Sequence, residues 1–470
     1  DRRSVGAMPN LMPDAVGVFQ QIQQLVTERY SQDTDVLKEL IQNAEDAKAS
    51  EVVFAFSGGL SSARHPLLQS PGILIVNDGD VSAADADAMK RFAGSGKQGD
   101  PATIGRFGLG QKALFHLCDA FFAKSFGTSY PLDLLANPCA GVLKQSRAEE
   151  WEEVSDDDWS LLEAEGRRNA RHGLAIWCPL RRKDIYPAAK LRIVDKVFDK
   201  NILAHELASR AEDLAVVLSA LRHLDNLTVL DEGRRLLNLR RRERAERMNG
   251  PTSDGAAAHD RVFSGEMTGD APAIYVGVER FGHSRATQRI QTAENWPNIP
   301  VMGPEGPEEK PQKASPHGAV IVTSGAASRV PDIRWQEAVF LPLERQEHER
   351  SPVDGDGIAL RVLLHGYFFV DSARRGRLQA EGATPRIEAE WNDAVMRDLV
   401  LPLLPAALAR ALDTFIPAKA ARATVAAIAV SSMFRERRAE ICAEQALTLR
   451  LGASGAAPRW ALTPCPQINR

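Results

Sequence analysis

Three stretches of this 470-residue chain hold side chains whose types and spacing could do chemistry on a phosphate group. In Glu39-Leu40-Ile41-Gln42-Asn43-Ala44-Glu45-Asp46-Ala47, the polar residues Glu39, Asn43 and Asp46 recur at i, i+4 and i+7, one face of a helix. Leu37, Leu40, Ile41, Ala44 and Ala47 line the neighbouring side. Such a helix packs on a sheet and presents a carboxylate and an amide to a pocket, as water activation and Mg2+ coordination through oxygen require. An ordinary amphipathic helix gives the same pattern, so this motif alone leaves both readings open. The second stretch, Ile73-Leu74-Ile75-Val76 followed by Asn77-Asp78-Gly79, puts an acid at a strand terminus, where it can accept from an adenine amino group. A tight turn uses the same residue types. The third, Gly105-Arg106-Phe107-Gly108-Leu109-Gly110, precedes a helix predicted from Gln111, so backbone N–H groups and the helix N-terminus can meet an anion. Lys97 and Lys112 flank it as candidate phosphate partners. Gly94-Ser95-Gly96-Lys97-Gln98 imitates a P-loop, but Arg91 stands where the first glycine is needed and Gln98 replaces the Ser/Thr metal ligand, which excludes that motif.

The elements that must position these residues follow from periodicity. Val16, Phe19, Ile22 and Val26 predict a helix within 12–30, and a second helix runs from Val36 to Ala49. Strands are expected at Glu51 to Phe56 and Ile73 to Val76, with a Gly/Ser/Pro loop between. Residues 133–170 read as an insertion whose acidic centre, Glu149 to Asp158, is a solvated face. Beyond residue 190 the pattern changes to helices with well-separated strands, including Ala273 to Glu279, Gly318 to Thr323 and Leu360 to Val370. The Pro/Gly/Glu-rich stretches 248–272 and 294–317 read as mobile loops or linkers. Arg240-Arg241-Arg242-Glu243-Arg244 reads as a salt-bridged helix surface, with phosphate contact as the alternative. A final helical region spans Ile387 to Arg438. The expected architecture is α+β: an N-terminal α/β sandwich over 1–185, a second α+β domain over 186–385 and a helical region over 386–470.

Composition bounds the rest. At 44% hydrophobic and 26% charged residues, with no apolar run near the roughly 20 residues of a membrane span, the chain reads as multidomain and not membrane-embedded. No signal peptide is visible, so a cytoplasmic location is expected; the start at Asp1 and end at Arg470 suggest a processed chain or a fragment. Cys118, Cys139, Cys178, Cys442 and Cys465 are scattered singly, which argues for reduced thiols and against a disulfide framework or a structural zinc. A net charge of −4 supplies no global drive toward nucleic acid.

Taken in order, the three stretches resemble the GHKL superfamily, in particular its sacsin and ninety-kilodalton heat-shock-chaperone branch. The likeness covers Leu37 to Ala49, Ile73 to Gly79 and Ile104 to Ala120. It implies a Bergerat-type fold for the first domain, with ATP and Mg2+ as ligands. It further implies that Glu39 polarises the attacking water and takes part with Asn43 in holding Mg2+, with Asp46 behind them. Asp78 is then the adenine-binding acid; an ungapped match to other members puts Asn77 there. Gly79, Lys97, Gly105, Phe107, Gly108, Leu109, Gly110 and Lys112 complete the nucleotide site. Two departures stand out: Val81 occupies the place of the second glycine of D-x-G-x-G, and the usual Gly-Thr appears as Gly173-Leu174. A looser likeness covers His365 to Arg375 and Trp391 to Ala394, by which Arg374 or Arg375 would reach the γ-phosphate. His116 and His365, in apolar context, are expected to be structural. The resemblance implies a slow ATPase acting as a switch through a lid at residues 82–110, with a homodimer or a protein client as partner and a chaperone-like or bacterial-defence role. A non-hydrolysing nucleotide sensor and a DNA-associated protein like the MORC group are the alternatives.

Overall fold

The computed structural model describes residues 22, 23, 26, 35–90, 111–138, 151–182, 193–248, 259–303, 306–312, 314–328, 331–339, 341–350, 357–370, 376–379, 386–420, 424, 427 and 428. The chain forms two compact units, one drawn from Asp1–Lys97, Phe107–Ala208 and Thr228–Leu236, the other from Gln98–Arg106, Ser209–Leu227 and Leu237–Arg470. Both mix helices and sheet, an α+β architecture.

In the first unit the elements run α1 (Asp35–Asp46), β1 (Glu51–Ser57), β2 (Gly72–Asn77), α2 (Ala83–Lys90), a 3-10 helix (Gln111–His116), β3 (Phe121–Phe126), β4 (Asp133–Ala136), α3 (Asp156–Asn169), β5 (Gly173–Pro179), α4 (Lys200–Ser209) and β6 (Asn226–Asp231). The strand order is β6-β1-β2-β5-β3-β4. The pairs β1/β2, β2/β5, β5/β3 and β3/β4 are antiparallel, with Phe54 opposite Ile75 and Ile75 opposite Ile176. Every residue of β2 and β5 is buried, which accounts for the unbroken apolar run at 73–76: a strand covered on both faces has no polar side to alternate with. Helix α1 buries Val36, Leu37, Leu40, Ile41 and Ala44 and packs on β1 and the 3-10 helix. Its end is a Schellman turn, with Lys48 N–H donating to the Glu45 carbonyl and Ala49 N–H to that of Ala44. Lys48 takes the left-handed position, φ +57°, that glycine usually fills. The three described residues of the 12–30 segment, Ile22, Gln23 and Val26, are helical.

Two expectations for this unit change. The segment from Gln111 is a 3-10 turn of six residues instead of an α-helix. The acidic run is not wholly solvated: α3 starts at the Ser155 cap, with Asp156, Asp157 and Asp158 in its favourable first turn. Of these Asp158 is buried, accepting from the N–H groups of Arg64 (2.7 Å) and His65 (3.3 Å). Backbone groups of a distant loop recruited this carboxylate, a partnership that charge patterning along the chain does not reveal.

The second unit holds α5 (Ala211–Ala220), β7 (Arg234–Met248, from Leu237 on), β8 (His259–Gly269), β9 (Ala273–Phe281), α6 (Arg285–Gln291), β10 (Asn298–Gly303), β11 (Gly306–Pro311), β12 (His317–Ser328), β13 (Asp332–Val339), β14 (Leu341–Arg350), β15 (Gly357–Gly366), α7 (Ile387–Ala394), a π-helical turn (Val395–Val400), a 3-10 turn (Leu401–Leu403) and α8 (Leu404–Thr414). Its sheet runs β7-β8-β9-β12-β15-β13-β14, antiparallel except for the parallel pair β13/β15. One face buries Val276, Val278, Val320, Val322, Val362 and Leu364 beneath the C-terminal helices. Gly318 is where the π-turn closes on β12, since a Cβ there would sit 2.7 Å from the Leu399 carbonyl.

Three readings of this region are corrected. The 248–272 stretch contains β8 and 294–317 contains the β10/β11 hairpin, so neither is wholly a loop. Gly269, Gly303, Gly306 and Pro311 mark strand ends, and β8 is held by cross-strand pairs with β9, Arg261–Glu279 at 2.7 Å and Asp260–Arg280 at 2.7 Å. The Arg240–Arg244 cluster lies on a strand, not a helix. Residues of the 386–470 region are helical over most of 387–414; beyond 420 the described residues are Thr424, Ala427 and Ile428.

Candidate functional site

The first unit brings the end of α1, the end of β2 and the start of β5 against one another, and glycines mark each contact. A Cβ on Gly79 would lie 2.6 Å from Ala47 Cβ and 3.0 Å from the Ala47 carbonyl oxygen, so the Asn77-Asp78-Gly79 turn seats directly on the last turn of α1. Gly173, at φ +137°, leaves room for the Asn77 carbonyl, which a Cβ would approach to 1.9 Å. Only glycine fits there on both counts, conformation and space. Three stretches spread over about 130 residues of chain, from Ala47 to Gly173, thus share one corner of the unit.

On α1, Glu39 is buried, Asn43 and Asp46 are half-buried, and Glu39 and Asn43 stand one turn apart on a common face. Among the described residues, the buried Nδ2 atom of Asn43 has no hydrogen-bond partner, nor does Oε1 of the adjacent Gln42. Buried polar groups are nearly always satisfied, so an orphaned amide marks a place where another group is expected. An amide's oxygen and nitrogen exchange places by rotation, so the same buried end offers an oxygen to a cation. Among the described residues no cluster of three His, Cys, Asp or Glu is placed to hold a metal. Mg2+ beside a triphosphate needs only one or two protein oxygens, and the Glu39–Asn43 pair fits that requirement.

At the strand end, Asn77 is buried and its Oδ1 accepts from Gly79 N–H at 3.1 Å. Asp78 accepts from the N–H groups of Ser50 (2.7 Å) and Glu51 (2.9 Å) through Oδ1 and from the Ser50 hydroxyl (2.5 Å) through Oδ2. These bonds tie the entrance of β1 to the exit of β2 and hold the carboxylate rigidly, with lone pairs still available on Oδ2. Next to it, Asp80 takes the hydroxyl and N–H of Ser129 at 2.5 and 2.7 Å, and these bonds hold its carboxyl below the usual range.

A group that sequence reasoning passed over fixes the segment behind the glycine stretch. Arg181 and Asp119 are both fully buried and paired, the Arg181 Nη2 lying 2.9 Å from Asp119 Oδ1. The same guanidinium donates to the carbonyls of Phe115 (2.8 Å), His116 (2.9 Å) and Cys118 (2.7 Å), while Asp119 also accepts from Ile193 N–H at 2.9 Å. It therefore caps the open carbonyl end of the 3-10 helix, a task matched to the five-donor fork of arginine. The signal in the sequence was the first Arg of Arg181-Arg182-Lys183 after an apolar strand and a lone Asp closing an apolar segment. The His116 ring packs on Phe198 at 5.7 Å, and Cys118 and Cys178 are buried free thiols, Cys118 pushed upward in pKa by burial.

Lys97, Gly105, Phe107, Gly108, Leu109, Gly110, Arg374 and Arg375 lie outside the described residues, as do Cys139, Cys442 and Cys465; Lys112 is placed by its backbone, in the 3-10 turn. In the second unit, the stretch that precedes Arg374 is anchored by residues of the looser motif. Asn392 accepts from Phe369 N–H at 2.6 Å and donates to the carbonyls of Phe369 (2.7 Å) and Leu378 (2.9 Å), and Trp391 Nε1 donates to the Tyr367 carbonyl at 2.8 Å. His365 is buried edge-on to His317, ring centroids 5.1 Å apart. Burial holds the His365 imidazole well below its ordinary pKa, helped by the nearby His317 and Arg222.

Residues 17–230 match the family model described as Sacsin domain. Over 122 residues, 24% of this chain, the sequence is 33% identical to sacsin of Homo sapiens; the stretch spans 3% of that protein's length. Among solved structures, one described as the crystal structure of the N-terminal domain of a DNA repair protein aligns over 54% of this chain and 72% of that one, with 13% identity and a TM-score of 0.26, too weak a likeness to carry an argument. No described helix is long and apolar enough to cross a membrane.

Proposed function

We propose that the first unit binds an adenine nucleotide with Mg2+ and hydrolyses it slowly, as a sacsin-related conformational switch. The observation that carries this reading is the orphaned buried amide of Asn43 one helical turn from the buried carboxylate of Glu39, on a helix whose end abuts Asn77-Asp78-Gly79. In this reading Asn43 and Glu39 hold the cation, which supplies neutralisation of charge developing on the phosphate oxygens. Glu39 orients the attacking water and accepts its proton; partial burial keeps bulk water from competing for it. Asp46, half-buried at the end of the same face, supports the water network. Asp78, clamped by Ser50 and Glu51, accepts from the adenine amino group through its remaining lone pairs, with Asn77 beside it and Gly79 seating the turn on α1. Lys97, Lys112 and the 105–110 glycine stretch complete the phosphate site.

The decisive experiment is titration of the full chain with MgATP by calorimetry, followed by phosphate release from the unmutated chain and from Glu39→Ala. Nucleotide binding should persist in Glu39→Ala, while turnover falls by about 10²–10⁴, the range a positioned general base supplies. Full turnover in that variant would remove Glu39 from the role, and no heat of binding would remove the reading altogether. A second reading, a nucleotide sensor without hydrolysis, draws support from Asp78 being engaged by three protein donors and from Leu174 standing where a hydroxyl is usual. Binding without phosphate release in the unmutated chain would select it.

A further inference from the structure

We propose that the outward face of β7 in the second unit docks the phosphate backbone of a nucleic acid; this inference is independent of the nucleotide-binding reading. On a helix, the mixed run Arg240-Arg241-Arg242-Glu243-Arg244 would interleave opposite charges on one surface. On a strand, alternate residues separate to opposite sides, and the sorting is one-sided. Arg241 and Glu243 turn inward: Arg241 pairs with Asp225 at 2.9 Å and Glu243 pairs with Arg261, so the acid in the run is consumed on the covered face. Arg240, Arg242 and Arg244 are exposed on the other. Arg242 is 74% exposed and pairs with Glu266 at 3.6 Å; among the described residues Arg240 and Arg244 make no ion pair.

The three arginines stand in a row with steps of roughly 6.7 Å, a span of about 13 Å. In register beside them on β8, Ser264 faces Arg244, Glu266 faces Arg242 and Thr268 faces Arg240, the Thr268 hydroxyl donating to the Arg240 carbonyl at 3.3 Å. Farther along the same face Val262, Val276 and Val322 are buried beneath the C-terminal helices, whereas the three arginines are exposed. A row of three guanidinium groups, with Glu266 as the acid opposite the middle one, can meet successive phosphates through charge alone, so binding is indifferent to sequence.

Fluorescence anisotropy of a labelled duplex oligonucleotide with the full chain, at several salt concentrations, tests this. Three phosphate contacts predict a log–log salt slope of about −2.7, an affinity loss of roughly forty-fold between 50 and 200 mM salt. The triple variant R240E/R242E/R244E should lose binding, and R240K/R242K/R244K should keep most of it, because a point charge suffices for backbone contact. Thermal melting of each variant checks that the fold is kept. No binding at low salt, an unchanged slope in the glutamate variant, or equal competition by polyglutamate, which would make this a surface for acidic peptides, overturns the proposal.

Discussion

The two units give their charged side chains different partners. In the first, Asp78, Asp158 and Arg181 are satisfied chiefly by backbone groups: N–H of Ser50 and Glu51, N–H of Arg64 and His65, and the carbonyls of Phe115, His116 and Cys118. In the second, charge meets charge across neighbouring strands, in a chain Asp225–Arg241–Glu243–Arg261–Glu279–His317, with Arg222 stacked on Phe281 at its end. A side chain bonded to backbone fixes the course of a loop or a helix end, whereas a cross-strand pair neutralises a sheet face without directing the chain. The lesson is that the first unit invests its polar residues in positioning, as a unit that assembles a site from separated stretches must.

The strongest way to break this contrast is at Arg181. Arg181→Met leaves the Asp119 charge buried without its partner and uncaps the 3-10 helix; we expect a loss of about 3–5 kcal/mol, read from denaturant unfolding. Nucleotide binding should fall with it. If the loss stays below about 1 kcal/mol, the clamp is not structural. Gly173→Ala should cost about 1–3 kcal/mol, since it combines a strained φ with a clash against the Asn77 carbonyl. Its test is the melting temperature together with MgATP affinity, and a variant that melts like the unmutated chain would show that the corner relaxes freely.

The second unit is sharpened by pH. Burial and the neighbouring charges hold the His365 imidazole well below its ordinary value, and burial lowers that of His317 although Glu279 opposes it. Because the unfolded chain takes up these protons first, stability should fall as pH drops below about 6.5, by about 1.4 kcal/mol per pH unit for each histidine held neutral. Glu279 adds a second, lower window. Burial would raise it, but His317, Arg222 and Arg261 hold it at about 2. Its contribution is present above the ordinary glutamate range and is lost between about pH 4.5 and 2. Denaturant unfolding from pH 7.5 to 5 measures the first slope, and His365→Gln should flatten it.

How far the sequence could be read differs between the units for the same reason. In the first, α1, β1 and β2 were legible because local periodicity and punctuation agree: apolar spacing on α1, a continuous apolar run on buried β2, and Asn-Asp-Gly at its end. In the second, β8 and the β10/β11 hairpin were not, because their strand character comes from partners such as Glu279 for Arg261. The arginine run shows the limit most plainly, since the same residues give a neutralised helix face or a one-sided strand face according to period alone.

By itself the sequence determined which residue types are present and their local order: an acid and an amide one helical turn apart, an acid after a buried strand, glycines ahead of a helical turn. Only the tertiary structure decided that Gly79 meets Ala47, that Gly173 meets Asn77, that Asp78 answers to Ser50 and Glu51, and that Arg181 finds Asp119. Those contacts join residues 27 to 96 positions apart. They form because burying the apolar sheet and helix faces carries polar groups out of water, and each must then find a partner that chain-local rules do not specify.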